Sequence, residues 1–364
     1  MKDRPTELDG AALLYFTVTT DGGDFGVAHD LDADQDIPIV SLAICRYSDS
    51  PEQVYLFACD ANWTVRGDLL YDSVEEAKSD AERYYETGPL TWRAPVAHST
   101  EGDPMTTTSQ RMHRALLSLA GLSIGDALGE RFFGDPLKVV PAIWERAIPP
   151  GPWSYTDDTQ MALSIVATLA KFGTIDQDHL AKGFASRYEP FRGYGGGAHD
   201  LLAQFRGGGH WSQLAGAIFQ GRGSYGNGAA MRVAPLGAYF ADDLDKVVDQ
   251  AKASAVVTHA HPEGVAGAIA VAVAAAHACQ GTAQAGSNAS GLLAAVIEHT
   301  PKSRTREGLE VAAELPATTP STEAASILGC GQEVSSQDTV PFALWCAAHH
   351  LDNFEEAFWA TVAG

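Results

Sequence analysis

The chain has 364 residues, 45% of them hydrophobic, which is enough for one large domain or two unequal ones around a sizeable core. Its 46 acidic and 24 basic residues give a net charge of -22. This charge argues against nucleic acid or an anionic membrane as the main partner, because the phosphates of either would be repelled.

Cysteine usage and the N-terminus predict a cytoplasmic protein. The five cysteines are odd in number and show no CxxC spacing, so we interpret them as reduced thiols and not as a disulfide framework or a zinc site. The N-terminus shows no signal-peptide core. The most apolar run, Gly264 to Ala278, is shorter than a bilayer-spanning helix, which predicts that no segment crosses a membrane.

Residues 1–90 are predicted to form a small α+β module without a catalytic constellation. A serine followed by acidic residues predicts a capped helix from Ser73 to about Tyr85. Apolar, aromatic and β-branched runs predict strands at 11–19, 37–46, 53–58 and 63–66, with an acidic, glycine-rich loop at 21–36. The next segment, 91–110, is rich in Pro, Ser, Thr and Gly, and we interpret it as a linker.

Residues 111–364 show the apolar spacing of helices. In the first of them, glycines 121, 125 and 129 are four residues apart, which predicts a helix face that another backbone approaches closely. Further helices are predicted over 157–172 and 176–188, from after Glu263 to about Cys279, and over 340–362, the last broken near Leu351-Asp352-Asn353.

The segment Thr156-Asp157-Asp158-Thr159 follows a Pro- and Gly-rich stretch and precedes an apolar-periodic run. Threonine is a good N-cap, so the two carboxylates fall in the first turn of a new helix. Two interpretations are open on spacing alone. The carboxylates complement the helix dipole, or the hydroxyls and carboxylates bind a divalent cation such as Mg2+ or Ca2+ through hard oxygen ligands.

A glycine-rich loop, Gly221 to Gly228, precedes the helix-like Ala229 to Arg232. Backbone amides at a helix start suit an anion such as phosphate, although a plain Asn-Gly turn explains the loop as well. Farther on, His259, His261 and Glu263 have spacing that suggests either a zinc site or a hydrogen-bonding histidine at a helix entrance.

Taken together, these stretches resemble the ADP-ribosylglycohydrolase family of the dinitrogenase-reductase-activating type, over roughly residues 108–364. The order and spacing of five motifs carry the resemblance: GLSIGDALG (121–129), YTDDTQMAL (155–163), RGYGGG (192–197), GSYGNGAAMRVAPLG (223–237) and THAHPEGVAGA (258–268). It implies a mainly α fold, an orthogonal helical bundle, here preceded by the small α+β module of residues 1–90. The bundle is expected to hold a binuclear Mg2+ or Mn2+ site.

The resemblance also implies roles for individual residues. Thr156, Asp157 and Asp158 match the first group of metal ligands, and the two aspartates are the expected catalytic carboxylates. The residues expected to bind substrate are Gly223, Ser224, Tyr225, Gly226 and Asn227, matching the loop that holds the diphosphate and ribose, and His259, beside the bound ADP-ribose. The implied partner is ADP-ribose or an ADP-ribosylated protein. The implied reaction is hydrolysis of the N- or O-glycosidic bond that joins ADP-ribose to a protein side chain.

Two departures from the family pattern support a second hypothesis. Phe133 stands where many relatives carry a glutamate, and Glu130 is either a substitute for it or a surface residue. A G-D-x-D-T segment with further metal carboxylates is expected just where the chain ends at Gly364, so we expect an incomplete metal site. Under the second hypothesis the chain is a non-catalytic binder of ADP-ribose or protein, for instance an immunity protein, whose residues 1–90 contact a protein partner.

Overall fold

The computed structural model describes residues 7–19, 23–30, 35–47, 50, 53–85, 90–93, 104–281 and 289–364. The chain forms two compact units, Met1–Gly102 and Asp103–Gly364. Of the segment that we interpret as a linker, residues 94–103 lie outside the described residues, and the first helix of the second unit begins at Pro104.

The first unit is built on an antiparallel sheet with the strand order β1-β2-β5-β6-β7. Successive residues of a strand face opposite sides of the sheet. On β5, Ala43 and Cys45 therefore join one apolar cluster, whereas Leu42 and Ile44 join a second cluster together with α1. The strands of this unit are β1 Glu7–Leu8, β2 Ala11–Val18, β3 Val27–Asp30, β4 Gln35–Pro38, β5 Ser41–Arg46, β6 Val54–Cys59 and β7 Val65–Tyr71, and its helix is α1 Val74–Tyr84.

The predicted module is confirmed as sheet and helix, with two corrections. Ser73 caps α1 as predicted, because its Oγ accepts a hydrogen bond from the backbone N of Glu76 at 3.1 Å. The predicted loop 21–36 is wrong in part, because β3 and β4 pair as a separate antiparallel hairpin there. Residues 20–22 and 31–34 lie outside the described residues. The predicted strand at 63–66 is longer than expected and forms β7.

The second unit is helical throughout its described residues, as the sequence predicts. Single 3-10 turns lie at Glu130–Phe132 and Asn227–Ala229. The predicted helix at 229–232 is therefore wrong, because the next α-helix begins at Ala234. The α-helices are α2 Pro104–Gly129, α3 Pro136–Trp144, α4 Asp157–Phe172, α5 Gln177–Arg187, α6 Gly196–Arg206, α7 Trp211–Gly221, α8 Ala234–Tyr239, α9 Leu244–Val256, α10 Pro262–Gly281, α11 Ala289–His299, α12 Arg304–Glu314, α13 Ser321–Leu328, α14 Ser336–His349 and α15 Phe354–Val362.

Helix α10 is the centre of the second unit. It packs against α8, α9, α11 and α14, and its small side chains, such as Ala268, Ala272 and Ala276, are fully buried. The apolar stretch Pro262–Gln280 is longer than the run seen in the sequence, and by length and composition it passes for a membrane span. Of the most apolar 18-residue window in this stretch, 61% is buried inside the protein, as expected of a core helix.

The close backbone approach in the second unit is at a different glycine from those predicted. A Cβ atom at Gly121, Gly125 or Gly129 would meet no described atom within 4 Å, so the prediction for that helix face is wrong. At Gly237 on α8, in contrast, a Cβ would lie 2.0 Å from the backbone oxygen of Ala272 on α10. Helix α8 therefore touches α10 with backbone against backbone.

We expect Gly237→Ala to destabilise the protein by about 3 kcal/mol or more, because the added methyl group has to push α8 away from α10. Gly121→Ala is the matched control, since it adds the same methyl group to an open helix face and is expected to stabilise by about 0.5–1 kcal/mol. Urea unfolding of both variants measures the difference. Equal stability of the two variants would contradict the packing described here.

Candidate functional site

The carboxylate of Asp126, on α2, holds the start of α4. Its Oδ2 accepts hydrogen bonds from the backbone N of Thr156 at 2.9 Å, and from the N and Oγ1 of Thr159 at 3.2 and 2.6 Å. Thr156 is the N-cap residue of α4, as predicted, but its side chain makes no capping bond. The carboxylate of Asp126 therefore accepts from the backbone N–H of Thr159, which the side chain of an N-cap residue would otherwise bind.

The hydroxyl of Thr156 lies between two carboxylates. Its Oγ1 is 2.5 Å from Oδ1 of Asp126 and 3.0 Å from Oδ2 of Asp158. A hydroxyl has a single proton to donate, so it satisfies one of the two carboxylates at a time. The remaining contact requires a second proton or a cation.

Asp157 and Asp158 both have a raised pKa. Burial, followed by the charge of Asp158, raises the pKa of Asp157 from 3.8 to about 7. Burial, followed by the charge of Asp126, raises the pKa of Asp158 from 3.8 to about 6, and Glu130 adds to the effect. The buried guanidinium of Arg232 opposes the shift at Asp157. The site therefore concentrates negative charge that the protein compensates incompletely.

The start of α4 is also joined to the loop after α5. The backbone N of Asp157 donates to the carbonyl oxygen of Arg192 at 2.7 Å, and Nη1 of Arg192 donates back to the carbonyl of Tyr155 at 2.9 Å. Next to Arg192, Gly193 has a φ of +83°, and a Cβ there would lie 3.7 Å from Oδ1 of Asp157. A glycine is suited to this position because L side chains rarely adopt that backbone conformation.

The glycine-rich loop is held from both sides. Gly223 has a φ of +73°, and a Cβ there would lie 2.7 Å from the backbone N of His261. Within the loop, the amide of Gly226 donates to Ser224 Oγ at 3.1 Å. The amides of Ser224 and Tyr225 have no protein acceptor in the described part of the chain. Both residues line the cavity described below.

Contacts with the α14 region complete the loop. The backbone N and side-chain Nδ2 of Asn227 donate to Val334 O and Thr339 Oγ1, both at 3.1 Å. Ser336 donates from its backbone N to the carbonyl of Tyr225 at 3.0 Å, and from its Oγ to the carbonyl of Gly226 at 3.1 Å. The loop is therefore a fixed structure that depends on residues more than 100 positions later.

The three residues with zinc-like spacing have three separate roles. His259 lies beside the glycine loop, and its Nδ1 is 2.8 Å from Thr258 Oγ1. His261 Nδ1 accepts from the backbone N of Glu263 at 3.1 Å, at the entrance to α10. Glu263 accepts from the backbone amides of Arg304 and Thr305 at 2.7 and 3.0 Å, at the start of α12. These contacts favour the hydrogen-bonding histidine over the zinc site.

A single cavity of about 990 Å³ brings the predicted site residues together. Every predicted site residue except Gly223 lines it: Thr156, Asp157, Asp158, Ser224, Tyr225, Gly226, Asn227 and His259. Glu130 and Phe133 also line it, and the Phe133 ring is 82% exposed. Among the residues that the structure describes, no three His, Cys, Asp or Glu side chains are grouped so as to hold a metal ion.

Sequence reasoning missed Asp126 and Arg232 as individual residues, although both lie within motifs that it singled out. Each had a signal in the sequence, because a lone charge in an otherwise apolar stretch, LSIGDALG or AAMRVAPLG, requires a partner once buried. Neither partner is predictable from spacing. Asp126 binds threonines 30 and 33 positions away, and Arg232 binds Thr258 Oγ1 at 2.9 Å.

The raised pKa of Asp157 predicts a pH dependence of stability in metal-free buffer. The folded protein keeps this carboxyl protonated to a higher pH than the unfolded chain does. Its contribution to stability is therefore complete below about pH 4 and is lost as the pH rises to about 7. We expect the free energy of unfolding of the wild type to fall over this range relative to Asp157→Asn, in urea unfolding with EDTA.

The exposed Asp245, in the first turn of α9, offers a control with the same change of charge. Asp245→Asn is expected to follow the wild type across the pH range. Parallel curves for the wild type and Asp157→Asn would show that the Asp157 carboxyl is not destabilised by its surroundings.

Comparison with known proteins places every residue that lines the cavity within one family match. Residues 107–364 match the family model described as ADP-ribosylglycohydrolase. ADP-ribosylhydrolase ARH3 of Gallus gallus is 38% identical over 182 residues, and the human protein of the same name is 34% identical over 179 residues. Each match covers 45% of this chain and 49% of the relative. The chain thus spans about half the length of the curated relatives it matches.

Two further similarities are weaker. The uncharacterized protein YegU of Escherichia coli K12 is 31% identical over 191 residues, which cover 47% of this chain and 55% of that protein. A solved structure of an ADP-ribosylglycohydrolase-related protein complex is 24% identical, with a TM-score of 0.44, covering 70% of this chain and 82% of that chain. The family model extends over more than half of the 364 residues, and the chain therefore belongs to the ADP-ribosylglycohydrolase family.

Proposed function

We propose that this protein is a metal-dependent hydrolase that removes ADP-ribose from a modified protein side chain at an N- or O-glycosidic bond. The observation that carries the proposal is the single cavity lined by the carboxylates of Asp157 and Asp158, the loop Ser224–Asn227 and His259. Acidic groups, free backbone amides and a histidine on one cavity suit a substrate that carries both a diphosphate and a ribose.

The oxygen atoms at the start of α4 suit a divalent cation. Two partly buried carboxylates have raised pKa values, and one hydroxyl is shared between two carboxylates. This group of hard oxygen atoms lacks positive charge, which Mg2+ or Mn2+ would supply. Thr156, Asp157 and Asp158 would hold the cation, and Asp126 would position Thr156. These residues make up one group of ligands of the binuclear site that the family resemblance implies.

The glycine loop is suited to the diphosphate. The amides of Ser224 and Tyr225 have no protein acceptor in the described part of the chain, and oriented backbone N–H groups bind phosphate oxygens without adding a full charge to the protein. An electrically neutral cradle has an advantage here, because a substrate with two phosphate charges has to enter a cavity that already contains acidic groups.

The proposed reaction is hydrolysis at the anomeric carbon of the ribose. A water oxygen forms a bond to that carbon, while the bond from the carbon to the side-chain nitrogen or oxygen breaks. The electron pair of the broken bond stays on the leaving nitrogen or oxygen. Asp157 or Asp158 accepts one proton of the water, and this proton is then passed to the leaving nitrogen or oxygen, directly or through solvent, to give the free side chain. A bound divalent cation would supply charge that orients the ribose hydroxyls and lowers the pKa of the water.

The relatives support the class of substrate. Two of the proteins that resemble this chain are named ADP-ribosylhydrolases. The chain spans about half the length of these relatives, so we propose hydrolysis for it and do not transfer the activity from their names.

A second function has one observation in its favour. The described residues contain no group of three acidic, His or Cys side chains placed to hold a metal. A protein that binds ADP-ribose in the same cavity without hydrolysing it, with residues 1–90 available to a protein partner, is consistent with that finding. Both functions require binding of ADP-ribose, and only the hydrolase releases it from a modified side chain.

We expect the protein to release ADP-ribose from ADP-ribosyl-arginine or ADP-ribosyl-serine peptides in the presence of Mg2+ or Mn2+. Asp157→Ala and Asp158→Ala are each expected to lower the rate by about 100-fold or more, because each removes a cation ligand and a candidate proton acceptor. Chromatographic measurement of free ADP-ribose, with and without EDTA, gives the rates.

Asp245→Ala is the control, because it removes an exposed carboxylate far from the cavity lining. Release that persists in both α4 variants would defeat the catalytic assignment. Calorimetric binding of ADP-ribose without any release, by the same wild-type preparation, would establish the second function instead.

A further inference from the structure

Arg232 is fully buried and makes no hydrogen bond to a carboxylate among the described residues. Its Nη2 donates to the carbonyl of Ser254 at 3.1 Å and to Thr258 Oγ1 at 2.9 Å, and its guanidinium lies 4.4 Å from the centre of the Phe184 ring. Its Nε has no hydrogen-bond partner. Burying a charge in this way is costly, so a role beyond packing has to be considered.

The contact with Thr258 sets the direction of a hydrogen-bond chain. An arginine side chain only donates hydrogen bonds, so Thr258 Oγ1 is the acceptor in its contact with Arg232. The single hydroxyl proton of Thr258 is then free to point elsewhere, and the Nδ1 atom of His259 lies 2.8 Å away. Donation to Nδ1 is the arrangement in which the Thr258 proton has an acceptor among the described residues, and in that arrangement Nδ1 carries no proton.

The state of His259 follows from this chain. Burial, followed by the charge of Arg232, lowers the pKa of His259 from 6.5 to about 3, so the ring is neutral at pH 7. A neutral imidazole whose Nδ1 accepts a hydrogen bond carries its proton on Nε2. Within the described part of the chain, Nε2 has no protein acceptor.

The Nε2 atom lies beside the glycine loop, on the cavity. A Cβ on Gly228 would lie 2.9 Å from Nε2, and a Cβ on Gly226 would lie 3.4 Å from it. The ring is therefore packed against the backbone of the loop, where a side chain larger than glycine would displace it. This packing fixes the plane of the ring, and the hydrogen bond from Thr258 fixes its tautomer.

We propose that Arg232 and Thr258 are positioning residues that hold His259 as a neutral Nε2–H donor toward an acceptor oxygen of the ligand in the glycine loop. The inference rests on the proposed function for the identity of the ligand, ADP-ribose. Its acceptor is a phosphate or ribose oxygen, because these atoms accept a hydrogen bond from a neutral imidazole. A histidine fixed in this way binds the ligand without adding a titrating charge near pH 7.

Nitrogen NMR of the wild-type protein tests the tautomer directly. The chain has 12 histidines, and the signal that disappears in His259→Ala identifies the residue. We expect a ring at pH 7 with an unprotonated Nδ1 and a protonated Nε2. A proton on Nδ1, or a doubly protonated ring, would overturn the proposal whatever the behaviour of any variant.

Two substitutions at Thr258 test the role of its hydroxyl. Thr258→Val keeps the shape but removes the hydroxyl, and we expect it to weaken ADP-ribose binding about tenfold or more, as measured by calorimetry. Thr258→Ser keeps the hydroxyl and is expected to stay within about threefold of the wild type. Val and Ser variants with equal affinity would show that the hydroxyl does not act on the ligand.

A double-mutant cycle separates positioning from general damage to the fold. If Thr258 acts through His259, Thr258→Val in a His259→Ala background should change the dissociation constant by less than about twofold. An undiminished tenfold loss in that background would assign Thr258 a purely structural role and overturn the proposal. A wild type that does not bind ADP-ribose would overturn the proposed function and the ligand named here, while the NMR result would still decide the tautomer.

Discussion

The geometry of the site depends on the hydrogen bonds that the carboxylate of Asp126 accepts. Asp126 accepts backbone and hydroxyl hydrogen bonds from Thr156 and Thr159, and it thereby joins the end of α2 to the start of α4. The directions of the Asp157 and Asp158 side chains follow from that joint, because the first turn of a helix fixes where its side chains point. Without a partner there, two buried amides and two hydroxyls would lose their acceptor at once.

Charge balance is the second constraint. Asp126, Asp157 and Asp158 share a small volume, and Arg232 is the one cation whose influence on Asp157 is resolved. Burial and the neighbouring charges raise the pKa of Asp157 and of Asp158, so these two carboxyls keep their protons to a higher pH than free aspartates do. The accumulation of negative charge that lowers the stability of the protein is the property that our proposal assigns to binding of a divalent cation.

The half of the cavity formed by the glycine loop and His259 is assembled from distant parts of the second unit. The loop Gly223–Asn227 is held by Ser336 and Thr339 of the α14 region and by Val334, while His259 packs on its glycines from the entrance to α10. Helix α10, which carries this entrance, is the core helix of the unit. A site built on a packed core helix and on a multiply bonded loop is fixed before ligand arrives, which limits the entropy lost on binding.

The sequence by itself determined the helical class of residues 111–364, the start of helices α1 and α4, the family, and eight of the residues that line the cavity. These features are local, since caps, apolar periodicity and motif spacing are written in neighbouring residues. The tertiary structure alone decided the partner of Asp126, the path from Arg232 through Thr258 to His259, and the close backbone approach at Gly237 in place of Gly121, Gly125 and Gly129. Each of these depends on contacts between segments far apart in the chain, and no local pattern specifies which buried polar group or which glycine another helix will meet.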